Sequence, residues 1–128
     1  MRVLVVDDDR DMVLSLIALL RTEGHDVRGA YDARNIVREV REFDPEVVIL
    51  DIAMPGMTGW EAAEAIRAAI LKKIVLVGMS GEYTSGADRS VSRQRGFDLY
   101  LMKPCDPNVL LTALRFVGIQ SPYRTAFG

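Results

Sequence analysis

Short, continuous runs of apolar residues alternate along the chain with stretches in which apolar residues recur at the period of a helix. Four such runs are rich in β-branched or aromatic side chains: Val3–Val6, Val47–Leu50, Ile74–Val77 and Leu99–Met102. A strand that is apolar throughout is covered on both faces, as in a parallel sheet between two layers of helices. A fifth run, Asp26–Ala30, is more polar and predicts an edge strand.

Signals for helix ends accompany the helical stretches between these runs. Gly24 can close the first helix, and Asp32 can cap the second. Thr58 begins a capping-box pattern ahead of the third helix, and Asp106 followed by a proline opens the last one. The pattern over residues 84–95 is weaker and predicts a short helix.

The order of elements is therefore a strand followed by a helix, repeated five times. Single helices joining parallel strands by right-handed crossovers predict an α/β fold, with a doubly wound parallel sheet. We expect one domain over residues 1–118 and a carboxyl-terminal tail over residues 119–128, because 128 residues suit a single core.

Composition excludes several classes of protein. The chain is 49% hydrophobic and 27% charged, which indicates a folded protein, and no apolar run approaches the roughly 20 residues that span a bilayer. A single cysteine excludes an internal disulfide framework and a four-thiolate zinc site. The net charge of −2 argues against direct nucleic-acid binding. The amino terminus lacks a signal-peptide pattern, so we expect a cytoplasmic protein with no membrane partner.

Polar residues follow the apolar runs at places where a parallel sheet would bring them together. Asp7 and Asp8 follow the first run, Asp51 follows the run at Val47–Leu50, and Ser80 and Lys103 follow the last two. In an open parallel sheet, the carboxyl ends of all strands share one edge, where such folds bind their ligands. We therefore expect these side chains to form one site.

The chemistry of that set favours a divalent cation and a phosphoryl group. Three carboxylates beside one ammonium repel one another, and their hard oxygen ligands suit Mg²⁺. Lys103 and the Ser80 hydroxyl can bind phosphoryl oxygens, which leaves one carboxylate free as a nucleophile. Asp51 is the best choice because it ends a fully apolar central strand. Asp9 and Asp11, in contrast, are explained as carboxylates favoured at a helix N-terminus.

Three motifs in this order resemble the receiver domains of two-component response regulators. They are Val-Val-Asp-Asp at 5–8, Leu-Asp-Ile-Ala-Met-Pro-Gly-Met-Thr-Gly at 50–59, and Tyr-Leu-Met-Lys-Pro at 100–104. The resemblance covers residues 2 to about 118. It implies a flavodoxin-like (βα)5 fold with the strand order 2-1-3-4-5.

The resemblance also implies roles for the site residues. Asp51 would accept a phosphoryl group from a phosphohistidine, on a sensor histidine kinase or a phosphotransfer protein. Asp8 would bind Mg²⁺ directly and Asp7 mainly through water. Asp51 and the backbone carbonyl of Ala53 would complete the ligand set. Lys103 would pair with the phosphate and precede a cis peptide bond.

A switch and an interaction face are implied in the same way. Ser80 and Tyr100 resemble the switch pair, although threonine is frequent where Ser80 stands. Phosphorylation would move the hydroxyl toward the phosphate, turn the ring inward and remodel the face made by the fourth helix, fifth strand and fifth helix. A downstream effector protein, or a second copy in a homodimer, would bind that face.

Two other functions compete with a phosphorylated switch. One is a docking module with the same fold that is never phosphorylated, which would need none of Asp8, Asp51, Ser80 or Lys103. The other is a Mg²⁺-dependent phosphohydrolase, but Ala53 stands where such an enzyme would carry its acid–base aspartate. We expect a signalling protein that catalyses only its own phosphorylation and slow autodephosphorylation, not a turnover enzyme.

Overall fold

A computed structural model describes residues 1–81 and 96–120 of the chain. Five strands are described: β1 (Arg2–Val6), β2 (Asp26–Ala30), β3 (Val47–Asp51), β4 (Val75–Ser80) and β5 (Leu99–Met102). The described helices are α1 (Arg10–Thr22), α2 (Ile36–Phe43), α3 (Gly59–Ala69) and α4 (Pro107–Gln120). The helix predicted over residues 84–95 lies outside the described residues, as do residues 121–128 of the predicted tail.

All five strands are parallel and form one sheet in the order β2-β1-β3-β4-β5. This confirms the α/β fold class and the strand order that the family resemblance implied. β1 and β3 are neighbours, with Val6 opposite Leu50, so the residues that follow these two strands are also neighbours.

Both faces of the central strands are covered, as the continuous apolar runs predicted, but β5 lies at the edge of the sheet and is only half-buried, with Met102 40% exposed. Along β1, alternate residues enter different cores: Leu4 and Val6 pack on the side of α2 and α3, and Val3 and Val5 on the side of α1 and α4. None of these four side chains is exposed. Burying a side chain of this size stabilises the fold by about 1.5–3 kcal/mol before entropy is counted. No described helix is long and apolar enough to cross a membrane.

Most of the predicted helix ends are confirmed, but the start of α2 is not. Gly24 has φ +86° just after α1, and Thr58 forms a capping box with Glu61. Asp32, however, does not cap α2. Its carboxylate accepts a hydrogen bond from the Arg34 backbone N–H at 3.0 Å, and the N-cap residue of α2 is Asn35. Asp32 forms a turn two residues on, which is the local alternative to capping.

Two predicted boundaries also change. β4 runs from Val75 to Ser80 rather than over Ile74–Val77, because Gly78, Met79 and Ser80 still pair with neighbouring strands. Ladders on both sides hold the glycine in the strand despite its low strand propensity. α4 reaches Gln120, two residues into the stretch assigned to the tail.

Arg67 on α3 fixes the start of β5. Its guanidinium donates to the carbonyl oxygens of Ile74 (2.6 Å) and Gly96 (2.8 and 3.1 Å), and to Asp98 Oδ2 (2.7 Å). The same Asp98 oxygen accepts the Leu76 N–H at 2.9 Å. These contacts tie α3, β4 and β5 together at the amino-terminal edge of the sheet.

Candidate functional site

The site lies at the carboxyl-terminal edge of the sheet. Asp7 and Asp8 follow β1, Asp51 is the last residue of β3, and Ser80 is the last residue of β4. Lys103 follows β5 directly. The five polar residues therefore come from four strands that point the same way, as the sequence predicted.

Three carboxylates meet at this edge. One ligand oxygen each from Asp7, Asp8 and Asp51 lie within 4.8 Å of one another. Asp7 is 1% exposed and Asp51 5%, whereas Asp8 is exposed. Two buried carboxylates and one at the rim make a strongly negative pocket that is open to solvent on one side. Such a pocket stabilises a cation that enters it.

Lys103 brings the positive charge into this pocket. Its Nζ lies 2.6 Å from Asp7 Oδ2 and 3.2 Å from Asp51 Oδ1. Its backbone N–H donates to the Ser80 carbonyl oxygen at 2.7 Å, which joins the ends of β4 and β5. The Lys103–Pro104 peptide bond is cis, as the resemblance implied.

The ionisation of the pocket follows from these contacts. Burial raises the pKa of Asp51, and the charge of Asp7 raises it further, which outweighs the opposing effect of Lys103. For Lys103, burial alone would lower the pKa, but the close contacts with Asp7 and Asp51 outweigh burial and raise it. Lys103 therefore stays protonated, while the two carboxylates that it contacts keep repelling each other.

A buried oxygen in this pocket lacks a hydrogen bond. Asp7 Oδ2 has Lys103 as its charge partner, but within the described part of the chain it makes no hydrogen bond of good geometry. Its other oxygen accepts the Asp9 N–H at 2.9 Å. The ion pair with Lys103 compensates the charge of this buried oxygen. Carboxylate oxygens at this spacing fit Mg²⁺, which needs only one or two carboxylates and keeps several waters.

The loop after β3 is held close to the strand end that carries Asp51. The Ile52 N–H donates to the Met79 carbonyl, and the Gly59 N–H donates to the Ile52 carbonyl, both at 2.9 Å. The Ala53 N–H points to Asp51 Oδ1 at 3.3 Å. The backbone around Asp51 is thus fixed from two sides, by β4 and by the first turn of α3.

The two residues predicted as a switch occupy the same face of the sheet. Ser80 is buried and Tyr100 is half-buried. In the register between β4 and β5, Tyr100 lies opposite Gly78. Ser80 lies opposite Met102, two residues further along both strands. Tyr100 packs against the core on the side of α2 and α3.

Sequence reasoning missed two residues that shape this region. Phe97 is buried, and its ring lies over Gly78. Gly59 approaches the Asp51 backbone so closely that a Cβ there would lie 2.4 Å from the Asp51 carbonyl oxygen. The glycine at the first position of a capped helix was the available signal for Gly59. For Phe97 no local signal exists, because its ring, just before β5, meets Gly78 on the neighbouring strand β4.

Comparison with known proteins decides the family. The response regulator receiver domain family matches residues 3–115. The chain is a response regulator receiver domain. Receiver domains are signalling modules, and the motifs at 5–8, 50–59 and 100–104 that resembled the family all lie within the matched range.

The receiver domain is similar to solved structures and to longer regulators. It matches the chemotaxis protein CheY4 of Vibrio cholerae with a TM-score of 0.83 and 30% identity, covering 91% of this chain and 97% of that one. A CheY-like receiver domain protein from Methanospirillum hungatei gives a TM-score of 0.81 and 29% identity, covering 90% of each chain.

The curated relatives are longer proteins. The DNA-binding response regulator MtrA of Mycolicibacterium paratuberculosis is 35% identical over 114 residues, 89% of this receiver domain and 49% of MtrA. The transcriptional regulatory protein PrrA of Mycobacterium leprae is 39% identical over 103 residues, 80% of this chain and 43% of PrrA. The receiver domain thus spans about half the length of these relatives or less.

Proposed function

We propose that this receiver domain is a phosphorylation-controlled switch in which Asp51 accepts a phosphoryl group from a phosphohistidine. The observation that carries the proposal is the position of the Asp51 carboxylate. It is buried at a strand end, 3.2 Å from the Lys103 ammonium, and shares a 4.8 Å cluster with Asp7 and Asp8. A nucleophile, a cation and metal ligands therefore meet in one pocket.

Each residue of the pocket has its own role in the proposed transfer. An Asp51 carboxylate oxygen forms a bond to phosphorus as the bond from phosphorus to the donor imidazole nitrogen breaks. The bonding electron pair returns to that nitrogen, and the imidazole leaves as a neutral ring that carries its proton on the other nitrogen or takes one up at the freed nitrogen. Lys103, now positioned between Asp7 and Asp51, pairs with a phosphoryl oxygen, and the Ser80 hydroxyl binds another.

We assign the metal ligands to Asp8, Asp51 and the Ala53 backbone carbonyl, with Asp7 acting mainly through water. The close spacing and mutual repulsion of the three carboxylates support this assignment. When bound, Mg²⁺ would neutralise part of the charge on the phosphoryl oxygens. The carboxylates need only hold their positions, because the strands β1 and β3 fix them.

The proposed output is a change in the protein's interaction face. Phosphorylation at Asp51 would draw the Ser80 hydroxyl toward the phosphate and let Tyr100 turn inward, which shifts a two-state equilibrium. The face around β5 and the helix that follows it, α4, would then bind a downstream effector or a second copy. The phosphohistidine donor would be a sensor histidine kinase or a phosphotransfer protein, and the receiver domain would act in the cytoplasm.

In this role the receiver domain would be a substrate of signalling, not a turnover enzyme. The chain would accept one phosphoryl group and lose it slowly by autodephosphorylation. MtrA and PrrA are named as DNA-binding and transcriptional proteins. We do not extend direct DNA binding to this receiver domain, because its net charge is −2.

The test is the intact mass of the protein after incubation with phosphoramidate, a small donor with the same phosphorus–nitrogen bond as phosphohistidine. We expect one added phosphoryl group with Mg²⁺ and none with EDTA. No added mass under either condition would favour the unphosphorylated docking module. Continuous release of phosphate in many turnovers would favour the phosphohydrolase instead.

Asp8→Ala should weaken Mg²⁺ binding by at least about tenfold without destabilising the fold. The variant removes a metal ligand, but it also removes one charge from a self-repelling cluster. Titration of the protein with Mg²⁺, followed by the fluorescence of Trp60, measures the affinity. Asp11→Ala is the matched control, since it deletes an exposed carboxylate three residues away that is outside the cluster. Equal affinities in the two variants would contradict the assigned site.

A further inference from the structure

The space over Gly78 is filled by a side chain from outside β4. A Cβ built on Gly78 would lie 3.2 Å from Ile52 Cδ1 and 3.2 Å from two atoms of the Phe97 ring. Any side chain at position 78 would therefore compete with this ring for space. Phe97 is 4% exposed and Ile52 7%, so the arrangement is part of the packed interior.

This filled space lies between the segment that carries Asp51 and Ile52 and the strand β5, which carries Tyr100. Ile52 follows Asp51 directly, and its N–H is held by Met79 of β4. Phe97 lies just before β5, where the neighbouring Asp98 N–H donates to the Leu76 carbonyl at 2.8 Å. Tyr100 lies opposite Gly78 and packs against the core cluster that contains both Ile52 and Phe97.

We propose that Phe97 is a positioning residue that couples the segment carrying Asp51 to Tyr100. The ring and Ile52 both border the space over Gly78 and belong to one packed cluster, so we expect a displacement of Ile52 to displace the ring. Packed interiors transmit such displacements because they contain few voids. The proposal rests on the proposed function, since it concerns how phosphorylation of Asp51 reaches Tyr100.

The test separates phosphorylation from its transmission. The protein is labelled with 3-fluorotyrosine, and the Tyr100 signal among the four tyrosines is assigned in ¹⁹F NMR spectra with Tyr100→Phe. Phosphoramidate and Mg²⁺ are then added, intact mass reports phosphorylation, and the change in the Tyr100 chemical shift reports the response. Thermal denaturation of each variant reports its stability.

We expect Phe97→Ala to be phosphorylated to the same extent as the parent protein, with the Tyr100 response reduced about twofold or more. Phe97→Leu, which keeps much of the volume, should retain most of the response. Phe43→Ala is the matched control, because Phe43 packs against the same cluster from α2, away from β5. It should lose stability and keep the full response.

A swap of volume distinguishes coupling from simple packing. Gly78→Val combined with Phe97→Ala refills the space from β4, so its thermal stability should recover relative to Phe97→Ala while the Tyr100 response stays reduced. A full response in phosphorylated Phe97→Ala, or a response restored by the swap, would overturn the inference. So would a Tyr100 signal that phosphorylation of the parent protein leaves unchanged. A parent protein that takes up no phosphoryl group would instead overturn the proposed function.

Discussion

Asp51→Asn is expected to take up no phosphoryl group from phosphoramidate, with Mg²⁺ present, while keeping the fold. The amide lacks the anionic oxygen that attacks phosphorus, and no neighbour takes its place. Asp7 is buried and paired with Lys103, and Asp8, which we propose as a metal ligand, is exposed at the rim. Burial and Asp7 raise the pKa of Asp51, which means that the folded state disfavours its charge. A neutral side chain of the same shape should therefore not lower stability.

Intact mass with and without Mg²⁺ checks this result, and circular dichroism checks the fold. Asp11→Asn is the control, because it makes the same chemical change at an exposed carboxylate in the first turn of α1. The control should be labelled like the parent protein. If Asp51→Asn were labelled to the same extent, another residue would be the acceptor and the assignment of Asp51 would be wrong.

Gly59→Ala should lower the free energy of unfolding by about 3 kcal/mol. The new Cβ would meet the Asp51 carbonyl oxygen at 2.4 Å and Ile52 Cα at 2.7 Å. Both are backbone atoms in a tightly paired segment, so neither can move aside as the end of a flexible side chain could. The first turn of α3 would have to shift away from β3.

Urea denaturation measures this loss, and Gly56→Ala in the same loop supplies the comparison. Gly56 has φ +84° but open space around it, so alanine there meets only the strain of a left-handed backbone, about 1 kcal/mol. Equal losses in the two variants would show that the close approach at Gly59 does not stabilise the fold.

The central strands and the acidic edge of the sheet could be predicted because each depends on a local pattern. Continuous apolar runs identified the strands that are buried on both faces, such as Val47–Asp51. A carboxylate at the carboxyl end of such a strand then lies at the edge that all parallel strands share. The meeting of Asp7, Asp8 and Asp51 followed from this rule before any distance was known.

The order of the strands could not be obtained from those patterns. An apolar run shows that a strand is buried, but not which strand lies beside it, so the order came from the family resemblance. The roles given to Ala53, Ser80 and Tyr100 came from the same source and stay predictions. The sequence predicted that Lys103 lies at the carboxyl edge of the sheet. The structure adds its contacts with the two buried carboxylates, Asp7 and Asp51.

The misplaced end of β4 and the missed Phe97 arose where distant residues decide local structure, whereas the error at Asp32 is a local one. The end of β4 extends through Gly78 because strands on both sides pair with it. Asp32 has a residue type that often caps helices, but its carboxylate accepts the Arg34 N–H instead. The N-cap position of α2 is occupied by Asn35. Phe97 filling the space over Gly78 needs two segments to meet, which neither segment shows alone.

The anchoring of β5 by Arg67 gives this edge strand two unequal ends. Its root is clamped by a guanidinium fork that holds Gly96 and Asp98, whereas its tip leads directly into the charged pocket at Lys103. The ladder with β4 and the hydrogen bond from the Lys103 N–H to the Ser80 carbonyl hold the rest of the strand, so its register is fixed along its whole length. A movement of the Lys103 side chain in the pocket would therefore act on neighbouring side chains, while the border of the sheet stays in place.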